Sequence, residues 1–186
     1  AKLQNSLDKL SKAKIYIDDQ AGNSIVRMKA LSRRLKAEKG LDLIVVDYLQ
    51  LMSTSKNYDS MVNQVTEISR SLKSLAKELD VPVLALSQLS RAVESRGGRP
   101  RLSDLRDSGS IEQDADVVMF IHREDKGKDE SEKTNIVEIL VEKHRNGPVG
   151  KVELYFDEKT TTFQSLEKSN LSDFAPSKVK GSLDEF

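Results

Sequence analysis

Short apolar runs alternate with longer amphipathic segments along the first two thirds of the chain. The apolar runs at residues 15–18, 43–47, 81–86 and 116–121 are typical of buried strands, because their side chains are apolar on both faces. Between them, apolar residues recur at helical spacings of three and four: Ile25, Met28, Leu31 and Leu35 in one segment, and Val65, Ile68, Leu72, Leu75 and Leu79 in another. The alternation predicts an α/β fold, with a mostly parallel sheet flanked by helices.

The pattern changes after residue 121. A further apolar run at residues 136–141 is followed by turn residues at 146–148 and by alternating polar and apolar side chains over residues 151–156. This predicts an antiparallel C-terminal hairpin at the edge of the sheet, with one solvated face. From residue 168 onward the chain is rich in Ser, Lys and Asp without periodicity. We therefore expect residues 1–167 to form the domain and residues 168–186 to form a mobile tail.

Composition limits the possible partners and sites. The 186 residues include 30 basic and 30 acidic ones, so a nucleic-acid site has to be a local patch rather than a property of the whole surface. Two histidines and no cysteine argue against a structural zinc site. The lack of cysteine suits a cytoplasmic protein. No apolar run approaches the roughly 20 residues of a membrane span, so we expect no membrane partner.

Polar residues follow two of the predicted strands at their carboxyl ends, where open α/β sheets place their ligands. Asp47 ends the run at residues 43–47, and in nucleotide-hydrolysing folds such a carboxylate organises Mg²⁺ beside the phosphates. Four apolar residues and an aspartate are a common pattern, however, which leaves a structural role equally open. Gln88 follows the next strand, where an amide can bond a γ-phosphate or the attacking water, or can simply cap a turn.

Residues 89–115 are too many for an ordinary connection between strands. The segment is rich in arginine and glycine: Arg91, Arg96, Gly97, Gly98, Arg99, Arg101, Arg106 and Gly109. It is either a solvated flexible loop or a segment that contacts a nucleic-acid backbone through guanidinium and main-chain N–H groups. It contains no aromatic residue, so base stacking is not its means of binding. We expect it to be poorly ordered in the absence of DNA, since it offers little apolar surface to bury.

Lys143 and Arg145 alternate across His144 at the end of the run that begins at residue 136, so both can project to the same side. Such a pair is either a solvated edge or a pair of cations that reaches the phosphates of a neighbouring subunit, where an arginine finger is worth ~10³–10⁵ in rate. We interpret His144 as structural. Asp18 and Asp19 are interpreted as a cap of the turn before the helix that begins after Ser24, rather than as a metal site.

Several motifs together resemble the C-terminal motor domain of the bacterial replicative helicases, the DnaB family. They are YIDD at residues 16–19, RRLK at 33–36, DYLQL at 47–51, LSQLSR at 86–91, LSDLR at 102–106, SGSIEQDAD at 108–116 and KHRNG at 143–147. The resemblance implies a RecA-like fold, a hexameric ring, ATP and Mg²⁺ as cofactors, and movement along single-stranded DNA. It also implies a helicase loader and a primase as partners.

By the same resemblance, Asp47 is the metal-organising carboxylate, and Gln88 is the phosphate sensor. Lys143 and Arg145 are the finger pair that acts on a neighbour's nucleotide, so all four residues are catalytic and nucleotide-binding. Three further residues fall where the family binds DNA: Arg106, Asp107 and Gly109. Asp107 is an acid and would have to act through its backbone or by orienting a neighbour.

One departure from the family is that no G-x-x-x-x-G-K-[ST] segment occurs in this sequence. We therefore expect an incomplete P-loop NTPase core that lacks ATPase activity by itself, with another strand belonging between the third and fourth predicted ones. Two alternatives stay open. The chain could be a non-enzymatic module that binds single-stranded DNA or a partner protein, or it could belong to another RecA-type ATPase such as a recombinase.

Overall fold

The computed structural model describes residues 2–20, 22–54, 58, 60–125, 127 and 129–166. The tail expected from residue 168 lies outside these residues. The helices are α1 (Lys2–Lys12), α2 (Ile25–Lys39), α3 (Met61–Leu79), α4 (Ala92–Arg96) and α5 (Gly109–Asp114), with 3₁₀ segments at Leu49–Leu51, Leu102–Ser108 and Glu130–Glu132. The strands are β1 (Ile44–Val46), β2 (Val83–Ala85), β3 (Val117–His122), β4 (Ile136–His144), β5 (Gly150–Asp157) and β6 (Thr162–Ser165).

The described strands form two sheets instead of the single sheet that the sequence predicts. β1 and β2 pair in parallel, with Val46 opposite Ala85. The other four strands form an antiparallel meander in the order β3-β4-β5-β6, in which β4 turns directly back along β3. Parallel pairing is thus confirmed for β1 and β2, whereas β3 pairs only with β4 in the described chain. β2 and β3 are not hydrogen-bonded to each other, and the expected strand between them stays a prediction.

Residues 15–18 do not form the predicted strand. Ile15 and Ile17 have exposed side chains, Ile17 being 86% exposed, and the backbone there pairs with no described strand. An isolated extended segment lacks the cross-strand hydrogen bonds that define a strand. Tyr16 and Ile17 instead line an open cleft beside α2 and β1.

The helix α2 begins and ends as its sequence predicts, and α3 buries the face that its sequence predicts. The Ser24 hydroxyl accepts a hydrogen bond from the Arg27 backbone N–H at 3.2 Å and caps α2, and Gly40, with φ of +82°, ends it. In α3 the predicted apolar face is buried: Val65, Ile68, Leu72 and Leu75 are at most 5% exposed. The spacing of apolar residues therefore predicted both the helix and its inward face.

Two apolar clusters form the interior. The first joins α2, β1, α3 and the residues around β2, with Ile44, Ile68 and Leu75 at its centre. The second lies between the 3₁₀ segment Leu102–Ser108 and the meander, where Leu105, Phe120 and Leu140 are buried. Ile111 on α5 packs against both clusters. α5 itself contacts α3 and the 3₁₀ segment Leu102–Ser108.

Part of one face of the meander is exposed among the described residues. Ile121, Ile139 and Val152 lie opposite one another on successive strands, and Ile121 and Val152 are 67% and 55% exposed. We expected the apolar side chains of residues 151–156 to face the interior, and for Val152 this is wrong. Leu140, on the other side of β4, belongs to the second cluster, whereas Val137, on the same side as Ile139, is 2% exposed. The exposed surface is therefore confined to the part of the face around Ile121 and Val152.

Truncation of Leu75 to Ala should destabilise the purified chain by about 2–5 kcal/mol, because it leaves a cavity in a site that is fully buried. Urea unfolding followed by circular dichroism measures the change. The matched control is Leu3→Ala on α1, where the side chain is 75% exposed and the free energy of unfolding should stay unchanged. An equal loss in both variants would contradict this assignment of the core.

Candidate functional site

Asp47 and Gln88 lie at the same end of the parallel pair. Beyond the last paired residues, the Leu86 N–H donates to the Val46 carbonyl at 2.9 Å, and the Leu49 N–H donates to the Leu86 carbonyl at 3.0 Å. These bonds continue the register past both strands and bring the two polar residues to one edge. Asp47 is exposed, and its carboxylate accepts no hydrogen bond from the described residues. The peptide bond from Asp47 to Tyr48 is cis.

Gln50 holds the backbone of Gln88, a role that sequence reasoning missed. The Gln50 side-chain oxygen accepts from the Gln88 N–H at 3.3 Å, while its Nε2 donates to the Ser87 hydroxyl at 3.1 Å. The Gln88 carboxamide itself is exposed and bonds to no described residue. Gln88 is thus fixed at its main chain with its side chain directed to solvent. The available signal was a lone amide in the otherwise apolar run of residues 49–52.

A single exposed carboxylate at a strand end fits Mg²⁺ that is carried by a nucleotide, since this ion is commonly held by one or two carboxylates together with phosphates and waters. The described residues contain no cluster of three or more metal-ligating side chains. Asp47 also borders a cleft of about 840 Å³ between α2, β1 and residues 16–23. Asp47 is therefore suited to complete the coordination of a metal ion that a nucleotide already holds.

Lys143 and Arg145 project to the same side of β4, as their alternation predicts. Lys143 Nζ donates to the Glu112 carbonyl, and Arg145 Nη2 donates to the Gln113 carbonyl at 3.2 Å. Both acceptors lie in the last turn of α5. His144 lies elsewhere, with Nδ1 at 3.3 Å from the Pro148 carbonyl, which agrees with a structural role in the turn.

Asp116 holds Arg145 from the start of β3. The Arg145 N–H donates to the Asp116 carbonyl at 2.8 Å, and Arg145 Nη1 lies 3.0 Å from Asp116 Oδ1. The second carboxylate oxygen pairs with Lys73 Nζ on α3. The hydrogen bond from Lys73, assisted by the charges of Lys73 and Arg145, lowers the pKa of Asp116 below its ordinary value. Asp116 therefore stays ionised between two cations near neutral pH.

The arginine-rich segment is not a disordered loop, and that expectation is wrong. Residues 89–115 contain α4, the 3₁₀ segment Leu102–Ser108 and α5. Leu105 is buried in the second cluster, with Leu89 and Leu102 packed around it. The segment does have apolar surface to bury, because its few leucines and isoleucine all face inward.

Asp104 holds the segment together electrostatically. Arg96 donates from both terminal nitrogens to the two Asp104 oxygens, each at 2.7 Å, and the Arg101 N–H donates to Oδ2 at 2.7 Å. Arg99 forms a similar double contact with Glu138 on β4. Arg96 and Arg99 are therefore engaged within the chain. Of the segment's other arginines, Arg91 and Arg101 are exposed.

The three residues expected to bind DNA lie between this ion pair and α5. The backbone of Arg106 and Asp107 belongs to the 3₁₀ segment, and Gly109 is the first residue of α5. Their side chains lie outside the described part of the structure. Since α5 begins at Gly109 and ends beside the acceptors of Lys143 and Arg145, the two candidate sites are joined by one short helix. No described hydrogen bond or ion pair joins Asp47 or Gln88 to Lys143 or Arg145.

Asp18 caps a turn, as predicted. Its carboxylate accepts from the Gln20 N–H at 3.3 Å and from Asn23 Nδ2 at 2.8 Å. The hydrogen bond from Asn23 is the main reason that the pKa of Asp18 is lowered. These contacts satisfy Asp18 locally, just before the cap at Ser24.

Comparison with known proteins decides the family. The family model described as "DnaB-like helicase C terminal domain" matches residues 1–165. The chain belongs to this family. It is 52% identical over 169 residues to "Replicative DNA helicase DnaB" of Geobacillus stearothermophilus, a match that covers 90% of this chain and 37% of the relative. "Replicative DNA helicase DnaC" of Bacillus subtilis (strain 168) is also 52% identical over 169 residues, with the same coverage.

Solved structures of similar proteins support the same assignment. "ATPase Domain of G40P" superposes with a TM-score of 0.84 at 47% identity, covering 89% of this chain and 60% of that one. A DnaB-like replicative helicase, described with its interactions with primase, superposes with a TM-score of 0.83 at 47% identity, covering 89% and 40%. The RecA-like α/β class is thereby confirmed. The chain spans 37% of the length of the two curated relatives.

No described helix of this DnaB-family chain is both long and apolar enough to cross a membrane.

Acid should weaken this domain through two carboxylates. Hydrogen bonds from Arg96 to Asp104 and from Arg99 to Glu138 lower each carboxyl pKa to about 2. The stability that a depressed carboxyl pKa contributes is present above the unfolded-state pKa and is lost as the pH falls through the folded-state pKa. The urea concentration at the midpoint of unfolding should therefore decrease as the pH is lowered from about 5 to about 2.

Asp104→Asn should lower the urea midpoint of unfolding at pH 7. The midpoint of this variant should then decrease less on acidification than that of the wild type, because one of the two carboxylates no longer titrates. Asp8→Asn on exposed α1 is the matched control and should keep the wild-type acid dependence. If Asp104→Asn kept the full acid dependence, the ion pair with Arg96 would not be a source of it.

Proposed function

We propose that residues 1–167 form the C-terminal part of the ATPase domain of a replicative DNA helicase. The full protein hydrolyses ATP to move along single-stranded DNA and unwinds the duplex at the replication fork. The observation that carries this proposal is the family match over residues 1–165. The polar edge of the parallel sheet supports it, because ligands of open α/β sheets bind at that edge.

In this proposal Asp47 and Gln88 act on the nucleotide. Asp47 organises Mg²⁺ on ATP, and the ion supplies charge neutralisation at the phosphates. The exposed Gln88 carboxamide bonds the γ-phosphate or the attacking water. Gln50 supports this role, since it fixes the Gln88 main chain from the segment that follows Asp47. A change at either residue is thereby passed to the start of the arginine-rich segment.

Lys143 and Arg145 act on the nucleotide of a neighbouring subunit. In the single chain they bond to carbonyl groups and to one carboxylate, which are acceptors that phosphate oxygens can replace. The Arg145 side chain is 47% exposed, so it can reach outward. This role requires a ring of subunits, and we propose a homo-hexamer.

Arg106, Asp107 and Gly109 contact the backbone of single-stranded DNA. Arg106 contributes charge, while Asp107 and Gly109 contribute main-chain groups, which carry no sequence information. Primase and a helicase loader are the proposed protein partners. The primase is suggested by the described interactions of a structurally similar DnaB-like helicase. The proposed location is the cytoplasm.

The isolated chain should neither hydrolyse ATP nor bind it tightly. It contains no phosphate-cradling G-x-x-x-x-G-K-[ST] loop, and positioning with electrostatic stabilisation supplies nearly all catalysis of phosphoryl transfer. A coupled-enzyme assay measures turnover. Steady hydrolysis that Asp47→Ala abolishes would contradict this. Salt-dependent binding of single strands by the isolated chain, without nucleotide, would favour a DNA-binding module instead.

In the full-length protein, Arg145→Ala should lower ATP turnover by ~10³–10⁵ and leave the affinity for single-stranded DNA unchanged, because its partner is a neighbour's phosphate. Turnover at a saturating single strand and fluorescence anisotropy with a labelled strand measure the two properties.

Arg106→Ala should have the converse effect. It should weaken binding of all single-strand sequences alike and flatten the log–log salt dependence by ~0.7, the amount expected for one phosphate contact. The same two assays, repeated over a range of salt concentrations, test it. If Arg106→Ala spared DNA affinity and Arg145→Ala reduced it, the two assignments would be reversed.

A further inference from the structure

Asp116 has no part in the proposed function so far, yet it contacts Arg145, which is proposed to act on a neighbour's nucleotide. We propose that Asp116 is a positioning residue for Arg145, and that α5 transmits the binding of single-stranded DNA at its first residue to Arg145 at its last turn. The inference deepens the proposed function and rests on it.

Three acceptors surround Arg145, and they come from one short stretch of chain. The Asp116 carbonyl accepts its N–H at 2.8 Å, the Asp116 carboxylate lies 3.0 Å from Nη1, and the Gln113 carbonyl accepts from Nη2 at 3.2 Å. Lys143 bonds to the Glu112 carbonyl one residue earlier. The direction of both cations is therefore set by residues 112–116 and by no other described part of the chain.

The carboxylate of Asp116 is itself held from α3. Lys73 bonds to the oxygen that Arg145 does not use, and five side chains of its helix α3 are buried in the interior. A carboxylate that is held on one side presents a fixed acceptor on the other. An arginine side chain loses much conformational entropy when it is fixed in one rotamer. If Asp116 already holds Arg145 in place, less entropy is lost when Arg145 binds a phosphate.

α5 is short enough to act as a rigid connection. It has six residues, about 9 Å at the helical rise of 1.5 Å per residue. Gly109 at its start belongs to the segment proposed to contact DNA, and Glu112 and Gln113 at its end accept from the cation pair. Ser69 on α3 donates to Asp114 at 2.8 Å and so holds the end of α5 against α3. A shift at one end therefore changes the acceptors at the other.

A stabilising ion pair is the alternative role for Asp116, and its exposure argues against it. The Asp116 and Arg145 side chains are 51% and 47% exposed. Exposed ion pairs contribute little to stability, since solvent screens them and both side chains lose freedom. Removing the carboxylate should therefore leave the fold intact, so a catalytic effect can be measured separately.

The test is a double-mutant cycle in the full-length protein. Asp116→Asn should lower kcat for DNA-stimulated ATP hydrolysis by about tenfold to a hundredfold, the range that misplacement of a catalytic group produces. The KM for ATP and the affinity for single-stranded DNA should stay within about twofold, since Asp116 touches neither ligand. In the Arg145→Ala background the same change should have no further effect, because both act through one interaction.

Three more variants complete the set. Lys73→Met should lower kcat in the same direction by a smaller factor, because it frees the Asp116 carboxylate without removing it. Asp116→Glu should retain part of the rate that Asp116→Asn loses. Glu78→Gln is the matched control, since it removes another half-exposed arginine–carboxylate pair, with Arg33, in the last turn of α3. It should leave kcat and DNA stimulation unchanged.

Several outcomes would overturn the inference. The effects of Asp116→Asn and Arg145→Ala could multiply. Asp116→Asn could lower the melting temperature or dissociate the assembly along with kcat, or raise turnover in the absence of DNA. If Arg145→Ala abolishes turnover while Asp116→Asn spares it, only this inference fails. If Arg145→Ala itself turns over ATP at the wild-type rate, the proposed finger role fails and the inference fails with it.

Discussion

The burial of one face of α3 is the constraint on which the positions of the neighbouring helices and strands depend. Val65, Ile68 and Leu75 are almost fully buried, and the helix contacts α2, β2, α5 and both nearby 3₁₀ segments. Close packing around such a helix leaves little room for independent movement of its neighbours. The strand β2, which forms part of the polar edge, and the second half of the arginine-rich segment are therefore both packed against the same helix.

Carboxylates set the geometry of the cationic residues. Asp104 holds Arg96, Glu138 holds Arg99, and Asp116 lies between Lys73 and Arg145. The guanidinium groups of Arg96 and Arg99 each meet their carboxylate in a two-point contact, so these two pairs specify direction as well as proximity. A chain with equal numbers of acidic and basic residues can therefore still hold individual cationic side chains in fixed directions. The acids determine which arginines are held within the chain and which are left exposed.

The family match identifies the class of fold, and the strand pairing shows how the described residues are arranged within it. The chain covers 37% of the curated relatives, while its described strands form a parallel pair and a separate antiparallel meander. The RecA-like class is evident from superposition on solved domains. The candidate site residues, by contrast, lie at the ends of strands in both sheets and in the segment between them, where Ile111 of α5 packs against both apolar clusters.

The sequence by itself determined the elements whose evidence is local. Apolar spacing predicted α2, α3 and the runs that contain β1 to β4, and the end of a parallel strand predicted where Asp47 and Gln88 lie. Tertiary structure alone decided that residues 15–18 are not a strand, that residues 89–115 fold, and that Gln50 and Asp116 support their neighbours. The physical reason is that these outcomes depend on hydrogen bonds between residues roughly 30 or more positions apart, such as Gln50 with Gln88 and Lys73 with Asp116, or on a missing strand partner. Periodicity reports which side of an element is buried, but not which distant group it meets.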